Sequence, residues 1–102
     1  MRTVSPKRYA SAVFQIALAR NQIDLWMDGL RFLTDSLSNS EVLRIIDAPQ
    51  ISTARKMKFT RKIFDGFVSP IVLNLVFLLA SRNVTYSISK IFEEFQENNF
   101  LH

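Results

Sequence analysis

Residues 23–37 read Ile-Asp-Leu-Trp-Met-Asp-Gly-Leu-Arg-Phe-Leu-Thr-Asp-Ser-Leu. Ile23, Trp26, Met27, Leu30, Leu33 and Leu37 recur at intervals of three and four, which places them on one stripe of an α-helix. Asp24, Asp28, Arg31 and Asp35 take the outer side. A strand would alternate every second residue, and this stretch does not. The segment is an amphipathic helix with one face to bury, so its neighbours must supply the cover.

The flanking segments carry the same period. Upstream, Ser5-Pro6 is a helix start: the Ser side chain can accept from a free backbone N–H, and Pro suits the first turn. That helix runs to about Arg20, with Asn21 as its stop. Downstream, Ser38 and Glu41 form a Ser-x-x-Glu capping box for a short helix bearing Val42, Leu43 and Ile46. Pro49 ends it. A fourth helix opens at Ser52 and turns Phe59, Ile63, Phe64 and Phe67 inward. A fifth starts at Ser69-Pro70 and is apolar on nearly all sides through Ala80. A sixth begins near Asn83 and buries Val84, Ile88, Ile91, Phe92 and Phe95, with Glu93, Glu94 and Glu97 toward its C-terminal end. The expected fold is all-α, a compact six-helix bundle forming a single domain over residues 1–102.

Composition agrees. The 102 residues are 48% hydrophobic and include nine Phe, enough for one small core. Two Gly and three Pro are too few for a turn-rich β architecture. Without cysteine there is neither a disulfide framework nor a thiolate metal site. The longest apolar stretch, Pro70 to Ala80, is too short to span a bilayer. Arg2, Lys7 and Arg8 ahead of an apolar run ending in Ala17-Leu18-Ala19 imitate a secretory signal. Ser11 and Gln15 interrupt that run at helical spacing, which favours a mature helix.

Catalytic groups are missing from the pattern. The one histidine, His102, is the last residue and reads as a frayed end. There is no Gly-rich phosphate loop and no Gly-x-Ser-x-Gly. Asp24, Asp28 and Asp35 read as a solvated helix face rather than an acid–base pair. No catalytic, metal-binding or cofactor-binding residue is assigned, so binding is the expected activity.

Two features can carry binding. The first is the basic run Arg55, Lys56, Lys58, Arg61 and Lys62, which could hold phosphates with Phe59 interleaved. A nucleic-acid-binding bundle is therefore the alternative reading, although a net charge of +4 is modest for that role and suits an acidic partner surface or anionic lipid as well. The second is excess apolar surface. The apolar residues of the first helix from Tyr9 to Ala19 cover an arc of about 260°, whereas a stripe little over about 100° is enough for burial. Ala10, Val13, Phe14 and Ala17 can serve the core, leaving Tyr9, Ala12, Ile16 and Ala19 on a flank. The fifth helix has the same excess, with Asn74 alone polar in its interior. Two such helices can form a groove for a partner's amphipathic helix. They can equally be central helices covered by the others, and composition does not separate the two.

The chain also carries a resemblance. Lys7-Arg8-Tyr9-Ala10-Ser11-Ala12-Val13-Phe14 resembles the opening of the N-terminal domain of the F-type ATP synthase delta subunit, whose mitochondrial counterpart is the oligomycin-sensitivity-conferring protein. The second helix, the junction Leu43 through Pro49-Gln50-Ile51-Ser52 to Lys56, and Asn74 through Ala80 followed by Ile91-Phe92-Glu93-Glu94-Phe95 are similar to that family in order and spacing. The resemblance implies a non-catalytic subunit, without cofactor, that links the catalytic head to the peripheral stalk and so supports proton-driven ATP synthesis. It implies that the N-terminal helix of an alpha subunit sits between the first and fifth helices. Tyr9, Ala12, Val13 and Ile16 would line one wall, and Asn74, Leu75, Leu78 and Leu79 the other. It implies a peripheral membrane complex, by default on the cytoplasmic face of a bacterial plasma membrane. The family's C-terminal domain, which meets the stalk b subunit, has no counterpart in these residues. Ser81-Arg82-Asn83 also departs from the family's usual turn between the last two helices.

Overall fold

The computed structural model describes residues 5–102; Arg2, part of the signal-like opening, lies outside them. Six helices follow in order: α1 (Pro6–Ala19), α2 (Ile23–Ser36), α3 (Ser40–Ile46), α4 (Thr53–Phe64), α5 (Pro70–Ser81) and α6 (Ile88–Leu101). A single 3-10 turn, Thr85–Ser87, precedes α6. Among the described residues the only β feature is an isolated bridge between Asp65 and Val68.

Most helix ends follow from the residues that mark them. Ser5 Oγ accepts from the Arg8 N–H at 3.3 Å, and Ser52 Oγ accepts from the Arg55 N–H at 3.2 Å. α1 stops because Asn21 turns left-handed, with φ 56°. The next N–H groups then fold back, Gln22 to the Ala17 carbonyl at 2.7 Å and Asn21 to the Leu18 carbonyl at 3.2 Å. α5 ends in the same way around Asn83, with φ 62°, Val84 N–H on Leu79 O at 2.9 Å and Asn83 N–H on Ala80 O at 3.0 Å.

Three expectations are corrected. Asn39 caps α3 in place of Ser38: Asn39 Oδ1 accepts from the Glu41 and Val42 N–H groups at 2.9 and 3.2 Å. Ser38 Oγ instead donates to the Asp35 carbonyl at the end of α2. Asn83 closes α5 and does not open the last helix, because its left-handed φ cannot start one. Phe67 is 69% exposed. Gly66, with φ 86°, breaks the helical phase two residues after Phe64, and Phe67 swings out to stack on Phe32 at 5.8 Å.

The core is assembled from helix pairs. α1 and α2 pack on α6, and α4 packs on α5. Ala10, Val13, Phe14 and Ala17 form the buried stripe of α1, and the Phe14 ring meets Phe95 of α6 edge-on at 5.6 Å. α2 approaches α5 closely at Gly29, where an added Cβ would lie 3.0 Å from both methyls of Val72.

A buried polar knot ties the two halves of the chain. Asp47, at the end of α3, accepts from the Thr85 N–H and hydroxyl, each at 2.8 Å, and from the Tyr86 N–H at 3.1 Å. Lys56 is 2% exposed, contrary to the expected solvated position. Its Nζ donates to the Ala80 carbonyl at 3.3 Å and to Asn83 Oδ1, so it caps the C-terminal end of α5. Burial pushes the ammonium below its ordinary value of 10.5, and the charge of Asp47 opposes that shift.

Lys56→Met should cost about 2 kcal/mol in urea denaturation, because it removes a charged donor from the Ala80 carbonyl and leaves Asn83 Oδ1 without its partner. The folded chain holds the Lys56 proton less tightly than the unfolded one does, so its stability should rise as pH climbs from the lowered value toward 10.5. That rise should be absent in Lys56→Met. Gly29→Ala should destabilise by about 1 kcal/mol, although helix propensity alone would stabilise by a similar amount.

Candidate functional site

The α1 surface divides cleanly. Once Ala10, Val13, Phe14 and Ala17 are buried, the next apolar residues around the helix are Tyr9, Ala12, Ile16 and Ala19, at intervals of three and four. Tyr9 is half-buried, Ala12 and Ala19 are exposed, and Ile16 is 45% exposed. These four form an apolar strip with two alanine positions where another backbone can come close. Val13 belongs to the core and supports the strip from beneath.

On α5, Leu78 is 43% exposed, while Leu75 and Leu79 are buried. Ile71 is half-buried and shares the Leu75–Leu78 flank at spacings of four and three. It escaped the sequence reading because a helix apolar on nearly all sides offers no phase. Asn74 is exposed, but it lines a cleft between α4 and α5 with Arg61, Asp65 and Phe77. Leu78 thus keeps the expected outward position, Leu75 and Leu79 lie under the surface, and Asn74 faces α4. α1 and α5 each lean on α2, yet they are not among the pairs that pack closely on each other.

The basic run also divides. Arg55, Lys58, Arg61 and Lys62 are exposed. Lys56 is withdrawn into the polar knot and cannot reach a phosphate, which corrects its place in the phosphate-binding set. The Arg61 guanidinium lies over the Phe77 ring at 5.2 Å. Asp24, Asp28 and Asp35 are exposed as expected, and Asp28 pairs with Arg31 at 3.2 Å. His102 is exposed at the chain end, with its ring 5.7 Å from that of Phe14. Among the described residues no group of three or more His, Cys, Asp or Glu could hold a metal ion, and no helix is long and apolar enough to cross a membrane.

Comparison with known proteins points the same way along nearly the whole chain. A family model described as ATP synthase delta (OSCP) subunit matches residues 6–99. The ATP synthase subunit delta of Clostridium perfringens is 35% identical over 78 residues, 76% of this chain and 44% of that protein. The subunit delta of Caldanaerobacter subterraneus subsp. tengcongensis is 30% identical over 96 residues, 94% of this chain and 54% of that protein. The corresponding protein of Dehalococcoides mccartyi is 31% identical over 74 residues, 72% of this chain and 40% of its own length. The chain spans about half the length of the curated relatives it matches.

The division of α1 is testable without a partner. Ala12→Arg should leave the helical signal and the unfolding midpoint nearly unchanged, within about 0.5 kcal/mol. Ala17→Arg, at a site with no exposure, should cost more than about 3 kcal/mol or unfold the chain. Thermal melts followed by circular dichroism read both.

Proposed function

The chain belongs to the ATP synthase delta (OSCP) subunit family, and from that premise we propose that it acts as a non-catalytic part of a proton-translocating F-type ATP synthase. In this reading it grips the catalytic head by holding the N-terminal helix of an alpha subunit. A longer subunit would complete the link to the b subunit of the peripheral stalk. The complex would sit at the cytoplasmic face of a bacterial plasma membrane.

The observation that carries the reading is the exposed strip Tyr9–Ala12–Ile16–Ala19 beside a stripe that already satisfies the core. A helix with its burial complete has no internal use for a second apolar strip. Docking an amphipathic helix there, against Leu78 on the far side, would bury on the order of 1,000–1,600 Å², enough for a specific contact. Val13, Leu75 and Leu79 would form the floor, and Asn74, turned toward α4, would lie outside the groove. The task is mechanical: a joint that stops the head from turning with the rotor requires affinity and stiffness, and no bond is made or broken.

Calorimetric titration with a peptide matching the N-terminus of the alpha subunit from the same organism tests the reading. Binding at micromolar concentrations is expected, as is its loss in Ala12→Arg while the variant stays folded. Silence at tens of micromolar, or full binding by Ala12→Arg, would contradict it.

A further inference from the structure

α4 carries a second surface that the head-gripping role leaves unused. Arg55, Lys58 and Lys62 follow one another at intervals of three and four, within an arc of about 60° on the outer side of the helix. Phe59 borders the stripe, and the four residues line a cleft of about 380 Å³. Arg61 stands on the flank, over Phe77, in a cleft of about 410 Å³ that Val68, Pro70 and Leu73 line together with the carboxylate of Asp65. Among the described residues, none of these four basic groups has a carboxylate within salt-bridge distance. These four are among the 13 basic residues of a chain with nine acidic ones. α4 holds no acidic residue, so these exposed basic groups have no compensating carboxylate on their own helix. Such a concentration of uncompensated charge steers an oppositely charged partner toward it.

We infer that the outer face of α4 docks an acidic amphipathic helix, at a site separate from the α1 strip. Two properties of the face select this partner over a polyphosphate chain. The stripe rises only about 10 Å along the helix, which covers about three phosphates of one DNA strand. A facing helix with carboxylates at the same three- and four-residue intervals matches it along its whole length. The clefts on either side of the basic stripe also have apolar material in them, Phe59 in one and Phe77, Leu73 and Val68 in the other. Phosphates leave that surface idle, whereas Leu or Phe side chains next to the carboxylates would fill it.

The test is NMR titration of the isotope-labelled 102-residue chain with a synthetic 18-residue helix carrying Glu at intervals of four and three and Leu beside them. The same peptide with Lys for Glu and a 12-nucleotide oligo(dT) serve as comparisons. Expected are shifts at Arg55, Lys58, Phe59, Lys62 and Phe77, no response to the Lys peptide, and a weaker, salt-sensitive response to the oligonucleotide. The triple variant Arg55→Glu/Lys58→Glu/Lys62→Glu should bind the Glu peptide about tenfold or more weakly. The milder Lys58→Gln/Lys62→Gln, chosen in case the triple variant fails to fold, should lose about threefold. Ala12→Arg should bind the Glu peptide like the parent chain, so failure at α4 and failure at α1 are read separately. Shifts confined to α1, indifference to charge reversal, or tighter binding of the oligonucleotide on the same residues would overturn the inference.

Discussion

The contact of Phe14 with Phe95 sets the rotation of α1 on α6, and the outward apolar strip depends on that rotation. With the two rings edge-on at 5.6 Å, Ala10, Val13 and Ala17 are drawn into the core with Phe14. An α-helix cannot bury all its sides in a bundle this small, so the strip from Tyr9 to Ala19 is left outward. Turning α1 by one residue, about 100°, would bury that strip and expose the stripe that now holds the bundle together. Surface and core are thus two consequences of a single packing choice.

The second constraint is the knot around Lys56 and Asp47. It joins α3, α4, the end of α5 and the 3-10 turn before α6, through Lys56 and Thr85, which are buried, and Asp47 and Asn83, which are half-buried. A buried ammonium is costly, but here it partners the Asn83 side chain and adds a second donor to the Ala80 carbonyl, which already accepts from the Asn83 N–H. The knot holds α4 against α5 with a fixed phase. That phase sends Arg55, Lys58 and Lys62 outward and leaves Lys56 alone inside.

The fold was legible from the sequence wherever local chemistry decides it. Ser5-Pro6, Asn21 and the stripe from Ile23 to Leu37 act within a few residues of themselves and needed no tertiary information. Asn83 carries the same left-handed signal as Asn21, but the apolar run behind it made it read as a start. Asn39 and Ser38 are adjacent caps of similar chemistry, and periodicity cannot choose between them. Lys56 was opaque because its acceptors lie 24 and 27 positions away. At the candidate site, the α1 strip was readable because Ser11 and Gln15 mark a phase, which α5 lacks. Hence Ala12 and Ile16 emerged outward as expected, while Leu75 and Leu79 went inside and Asn74 turned toward α4.

On the proposed reading, α1 presents a completed core stripe and a separate strip for a partner helix. Intermolecular nuclear Overhauser effects test it at atomic level, with the chain methyl-labelled at Ala, Ile, Leu and Val and mixed with unlabelled alpha-subunit N-terminal peptide. Expected are cross-peaks from the peptide to the methyls of Ala12, Ile16, Ala19 and Leu78, and none to Ala10 or Ala17. Cross-peaks to Ala10 and Ala17, or a set confined to residues outside α1 and α5, would contradict it.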